Sequence, residues 1–184
     1  KILATSRERL NIQAEHLFDL YGLAVPDSNS HSSDALQLFA ERAKHNQLDF
    51  VLEQHLQAVT RICQLVGGMP LAIELAASWS RLLSPNEIVG ELEGSLDLLS
   101  SQNRDLPERH HSMRMVFEAS WQRLSEDEQA ALRKLSVFQG GFTREAARAI
   151  AELDLPILLS LVNKSFVWRD STGRFSQHPL ILQY

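Results

Sequence analysis

The residues best placed to meet a small molecule are Gly67, Gly68 and Pro70, in the run Ile62-Cys63-Gln64-Leu65-Val66-Gly67-Gly68-Met69-Pro70-Leu71-Ala72-Ile73-Glu74-Leu75-Ala76-Ala77. An apolar helix stops at the Gly pair, because Gly takes positive φ at a helix C-terminus without a Cβ clash. One residue later Pro70 opens a second helix, where its missing N–H leaves no donor unpaired. The corner therefore carries a rigid apolar ring at its tip. Such a tip packs against a flat ligand such as a purine; its other reading is a sharp turn in a core.

Other chemistries fail on residue type or spacing. Cys63 lies on the apolar face of a helix, where a thiol acts as a small core residue, and one cysteine excludes an intrachain disulfide. Seven histidines include no His-x-x-x-His pair, and His110 and His111 point about 100° apart on a helix, so no metal site is expected. The acids Glu126, Asp127 and Glu128 fit a helix N-terminus, where negative charge is favourable, better than a catalytic pair. There is no G-x-x-x-x-G-K-[ST] loop, no G-x-G-x-x-G and no strand ending in paired acids that would hold magnesium, so this chain is not expected to hydrolyse ATP by itself.

These residues need elements to hold them. The 184 residues are 44% hydrophobic and 22% charged, the balance of a folded protein large enough for one or two domains. No run reaches the roughly 18 to 20 apolar residues of a membrane span, no secretory leader is visible, and a cytoplasmic origin fits the cysteine usage. The start on a strand-like run without Met reads as a fragment. Lys1 to Ser6 and His16 to Leu20 read as short strands, the last of a parallel sheet. Residues 27–33 are a polar linker. A helical bundle follows, with stripes at Leu36, Phe39, Ala40 and Ala43, at Val59, Ile62, Cys63 and Val66, and at Leu71, Leu75, Ala76 and Trp79. Ser84, Pro85 and Glu87 form a capping box that starts another helix. After a linker from Gln102 to Arg109 come a helix through Met113 and Trp121, a capping box at Ser125 and helices begun by Thr143 and Asp154. Phe166-Val167-Trp168 and Arg174-Phe175-Ser176 flank Asp170 to Gly173, which is a hairpin signal. Helices closed by a hairpin have a winged-helix outline.

Such a domain invites a test as a DNA reader. Its third helix, Leu155 to Lys164, offers only Asn163 and Lys164 toward bases, and the wing offers Arg169 and Arg174 toward phosphates. The first 103 residues carry a net charge of −6 and the last 81 a net charge of +1, so neither half has the positive field of a dedicated nucleic-acid binder. A protein-packing domain fits better than direct DNA binding.

Four stretches in order resemble the signal-transducing NTPases with numerous domains (STAND), specifically their NB-ARC, or AP-ATPase, group. Gly68-Met69-Pro70 resembles the family's G-x-P motif; Ile2 to Arg7 its sensor-1 strand and arginine; Ser112 to Ala147, with Leu135-Ser136-Val137-Phe138-Gln139-Gly140-Gly141-Phe142, its winged helix; and Gln177-His178-Pro179 its Met-His-Asp motif. The resemblance covers nearly the whole chain and is nearest to bacterial transcriptional-regulator types. It implies a mainly α fold in three parts. Residues 1–27 would be the remnant of a parallel P-loop ATPase sheet, 28–103 a helical accessory domain, and 104–184 a winged-helix domain with a small C-terminal hairpin.

The resemblance also assigns roles. Arg7 would face the γ-phosphate, Pro70 would pack near adenine, and His178 would contact the β-phosphate of ADP and hold the closed state. Outside the family context, Arg7 also reads as half of a surface ion pair, and His178 as a polar residue beside the wing. Gln177 and Pro179 replace the family's Met and Asp, which weakens the expected lock. The cofactor would be ADP or ATP, with magnesium ligands outside this chain. The partners would be an upstream P-loop core of the same polypeptide, downstream helical repeats, and an effector or DNA-binding domain; the parent would be a slow ATPase. The alternative is a winged-helix transcription-factor module that binds DNA.

Overall fold

A computed structural model describes residues 2–25, 33–100, 112–170 and 172–184. The expected linkers at 27–33 and 102–109 lie largely or wholly outside these residues, as do His110 and His111. The described residues are mainly helical, with one two-stranded antiparallel sheet. The chain divides into two compact units: Lys1–Asp19 with Ser120–Leu182, and Leu20–Ala119 with Gln183–Tyr184.

The second unit is a helical bundle. Helix α1 (Asp34–Asn46) is capped by Ser33, whose hydroxyl accepts from the Leu36 amide, and buries Leu36, Phe39 and Ala43. Helix α2 (Leu56–Leu65) buries Val59, Ile62 and Cys63. Helix α3 (Pro70–Ser78) buries Ile73, Leu75 and Ala76, and α4 (Pro85–Gly94) buries Ile88 and Leu92. Helix α1 packs on α3 and α2 packs on α4, so the 3.6-residue stripes interlock as one core. Each pair is also bridged at its rim: Arg42 to Glu74 at 2.8 Å and Arg61 to Glu93 at 2.7 Å. The Ser84–Glu87 capping box forms as the sequence requires.

Helix α5 (Met113–Trp121) buries Met113 and Phe117. In the first unit, α6 (Glu126–Leu135), α7 (Arg144–Ala151) and α8 (Leu155–Asn163) are followed by strands β1 (Val167–Arg169) and β2 (Phe175–Gln177). Their core is Leu132, Leu135, Phe142, Ala147, Leu158, Leu161 and Val167, with Phe138 and Phe175 against it. The hairpin pairs Val167 with Gln177 and Arg169 with Phe175. Its turn is tied by Asp170, whose carboxylate accepts from the Thr172 amide, the Thr172 hydroxyl and the Arg174 amide, while Gly173 sits at φ +87°. A short helix, α9 (Pro179–Gln183), ends the chain.

The N-terminal strands do not form. Residues 2–25 hold neither helix nor strand, and the described residues contain no parallel sheet. Ile2 and Leu3 are 97% and 98% exposed. A parallel strand exists only through neighbours that complete its ladder, and among the described residues the segment has none, so β-compatible residues alone do not make it a strand. It turns locally instead. Asn11 sits at φ 55°, and the Glu15 carboxylate accepts from the Leu10 and Asn11 amides at 2.8 and 3.0 Å.

Candidate functional site

The corner between α2 and α3 is built as its sequence demands. Gly67 and Gly68 take φ of 58° and 67°. The Gly68 amide donates to the Cys63 carbonyl at 2.9 Å and the Gly67 amide to the Gln64 carbonyl at 3.0 Å, the paired bonds of a Schellman ending. Pro70 then occupies the first turn of α3, with Ile73 donating to the Met69 carbonyl. Beneath it Cys63 is fully buried, and burial pushes its thiol up to about 12, so it stays protonated and is no nucleophile.

Arg7 and His178 fall in the first unit and Pro70 in the second. The Arg7 guanidinium donates to the Ser120 hydroxyl at 2.6 Å, and its carbonyl accepts from the Ser165 hydroxyl at 2.9 Å. The Arg9 amide donates to the Asn163 carbonyl at 3.2 Å, so this stretch lies along the end of α8. His178 follows β2, edge-on to Trp168 at 6.3 Å. Its Nδ1 accepts from the Leu180 amide at 3.2 Å. In neutral His178 that bond puts the proton on Nε2, the nitrogen suited to donate to a phosphate oxygen. Beside it Gln177 is 8% exposed, and its Oε1 has no hydrogen-bond partner among the described residues.

Sequence reasoning missed the polar centre of the first unit. Glu128 closes the Ser125 capping box and is also 6% exposed. It accepts from Lys164 Nζ at 2.8 and 2.9 Å and from the Ser160 hydroxyl at 2.5 Å. Burial pushes its carboxyl up, but the Lys164 and Ser160 bonds, the Ser125 amide and the Lys164 charge hold it down at about 2. The cluster ties α6 to α8 and is structural. The available signal was Lys164 itself, a lone base at the end of an otherwise uncharged helix.

That network uses one of the bases that a DNA reader would need. The hairpin uses others: Arg174 donates to the Gly141 carbonyl at 2.9 Å, and Arg169 donates to the Gly173 carbonyl at 3.2 Å while lying 5.8 Å over the Phe175 ring. Among the described residues no group of three His, Cys, Asp or Glu could hold a metal ion, and no helix is long and apolar enough to cross a membrane.

The chain is homologous, over 98% of its length and at 37% identity, to a region of proteins from Mycobacterium tuberculosis and Mycobacterium bovis named "Putative HTH-type transcriptional regulator". It spans only about a fifth of those proteins, 21%. A second mycobacterial protein, of unassigned function, is 31% identical over 90% of the chain, which spans 43% of that relative. No family model and no solved structure matches the chain.

Proposed function

We propose that this chain is the regulatory part of an ADP/ATP-operated switch within a larger transcriptional regulator of the STAND, NB-ARC type. The observation that carries the reading is the α2–α3 corner. Two left-handed glycines and an N-terminal proline hold a rigid ring at a fixed turn, as the family's G-x-P motif requires. The homology to a fifth of a transcriptional regulator supports a parent that carries further domains. The exposed Ile2, Leu3 and Phe18 suit a segment that completes a sheet elsewhere in that parent.

In this reading Pro70 packs near adenine, Arg7 faces the γ-phosphate, and His178 donates from Nε2 to the β-phosphate of ADP. The magnesium ligands and the phosphate loop belong to the upstream core. This chain therefore contributes no catalytic residue to a parent that is a slow cytoplasmic ATPase. ADP holds the closed state and ATP opens it, because the two nucleotides bind two domain arrangements unequally.

The test is an ADP and ATP titration of the parent polypeptide. ADP binds, and His178→Ala speeds ADP release about tenfold, the loss of one charge-assisted hydrogen bond of roughly 1.5 kcal/mol. An unchanged release rate removes His178 from the site, and absence of ADP binding removes the switch. The relatives' name favours a second reading, DNA binding through a winged helix built from α6–α8 and the hairpin. The internal use of Lys164, Arg169 and Arg174 argues against it.

A further inference from the structure

The Gly67–Gly68 turn is covered by the chain's own backbone. The Leu23 amide donates to the Gly68 carbonyl at 2.8 Å. A Cβ on Gly22 would fall 2.4 Å from the Gly67 carbonyl oxygen, and a Cβ on Gly68 would fall 2.1 Å from the Leu23 carbonyl oxygen. Both obstacles are backbone atoms, which cannot swing aside as a long side chain can. The glycines at 22 and 68 are therefore needed for two main chains to lie against each other, a demand beyond the helix-ending role of Gly68. Leu23 is held at the turn that leads directly into Pro70.

We propose that Gly22 and Leu23 form a positioning strap, seated on the Gly67–Gly68 turn, that fixes where Pro70 and the first turn of α3 stand. Its bearing on a nucleotide site rests on the reading above; the strap itself does not. Without it, the corner loses the backbone that pins its outer side, and its Schellman bonds open more often. Gly22 is the clean probe, because its own φ lies outside the left-handed region and alanine there changes only the space against the Gly67 and Gly68 carbonyls. Gly90, on α4 with nothing within 4 Å of an added Cβ, is the matching control.

Amide hydrogen exchange of the 184-residue chain tests the strap. Leu23 is protected in the wild type. Gly22→Ala speeds its exchange at least tenfold and speeds the bonded amides of Gly68, Met69 and Ile73 several-fold, while α1 amides are unchanged. Gly90→Ala moves none of them. Faster exchange at Leu23 alone, or at none of these amides, overturns the proposal. If Gly22→Ala also loses α1 protection and so fails to fold, Leu23→Pro leaves both glycines in place and breaks the strap from the other side: it removes the donor and sets a ring carbon against the Gly68 carbonyl. Faster corner amides in that variant support the strap, and unchanged ones overturn it. ADP affinity of the parent separates the two ideas. If the wild type binds no ADP, the nucleotide reading fails and the exchange data alone judge the strap. If ADP binds the wild type and Gly22→Ala equally although the corner has loosened, the strap has no role in the site.

Discussion

At the residue scale the decisive group is Glu128. It does two jobs with one carboxylate: it closes the capping box of α6 and takes Lys164 and Ser160 from α8. A buried carboxylate is tolerated only when its oxygens are satisfied, so removing a partner costs more than the pair contributes. Lys164→Met leaves the carboxylate nearly buried, and we expect a loss of about 2 kcal/mol in urea unfolding at pH 7. That is below the usual cost for a fully buried pair, because the Lys164 side chain keeps 23% of its surface in water. The pH dependence has a definite sign. The folded carboxyl is held at about 2 against an ordinary 4.5. Its contribution is thus full above pH 4.5 and is lost as pH falls toward 2. In Glu128→Gln the urea midpoint loses this part of its pH dependence. An equal slope between pH 4.5 and 2 in both proteins would rule the network out as its source.

At the element scale the tightest constraint outside the strap is Gly141. It sits at φ +81°, and an added Cβ would stand 2.8 Å from both the Phe175 carbonyl oxygen and the Ser176 hydroxyl. The next residue, Phe142, exchanges two backbone hydrogen bonds with Phe175 at 2.8 Å, which ties the loop before α7 to β2. Gly141→Ala should cost about 2 kcal/mol, from left-handed strain and this crowding. Gly140→Ala, with open space around it, should be near neutral. Equal urea midpoints for the two variants would contradict the geometry. The same glycines show what sequence could reveal. Local signals were legible: the capping boxes at Ser84 and Ser125, Pro70 in the first turn of α3, the stripe of α1 and the Asp170–Gly173 turn all encode their element within a few residues. The hairpin was legible for the same reason. Non-local demands were not. Nothing near Gly22 announces Gly67, and nothing near Glu128 announces Lys164. The strands expected at Lys1–Ser6 and His16–Leu20 fail because a strand is a property of its neighbours. Of the candidate site, the Gly-Gly-Pro corner is legible from local chain stiffness. Arg7 and His178 came only from family resemblance, because a lone guanidinium or imidazole carries no pattern.

At the scale of the whole molecule, charge decides between the two functional readings. The chain carries −5 overall. A winged helix that reads DNA holds its affinity mainly through phosphates, and each neutralised phosphate adds nearly one to the slope of log affinity against log salt. Here Lys164 is consumed by Glu128, Lys134 pairs with Glu152 at 2.7 Å, and Arg169 and Arg174 bond main-chain carbonyls of their own unit. The outward face of α8 presents Leu155 and Leu159, both more than half exposed, where base readout would want amides or guanidinium groups. We therefore expect the 184-residue chain to show weak binding to duplex DNA in 50 mM salt, with a slope no steeper than about −2. A slope near −6 with tight binding would mean that the internal bonds of Lys164, Arg169 and Arg174 yield to phosphate. In that case Lys164→Met would flatten the slope by about one, and the switch reading would give way to direct DNA recognition. A shallow slope that Lys164→Met leaves unchanged assigns any operator binding by a parent regulator to residues outside this chain.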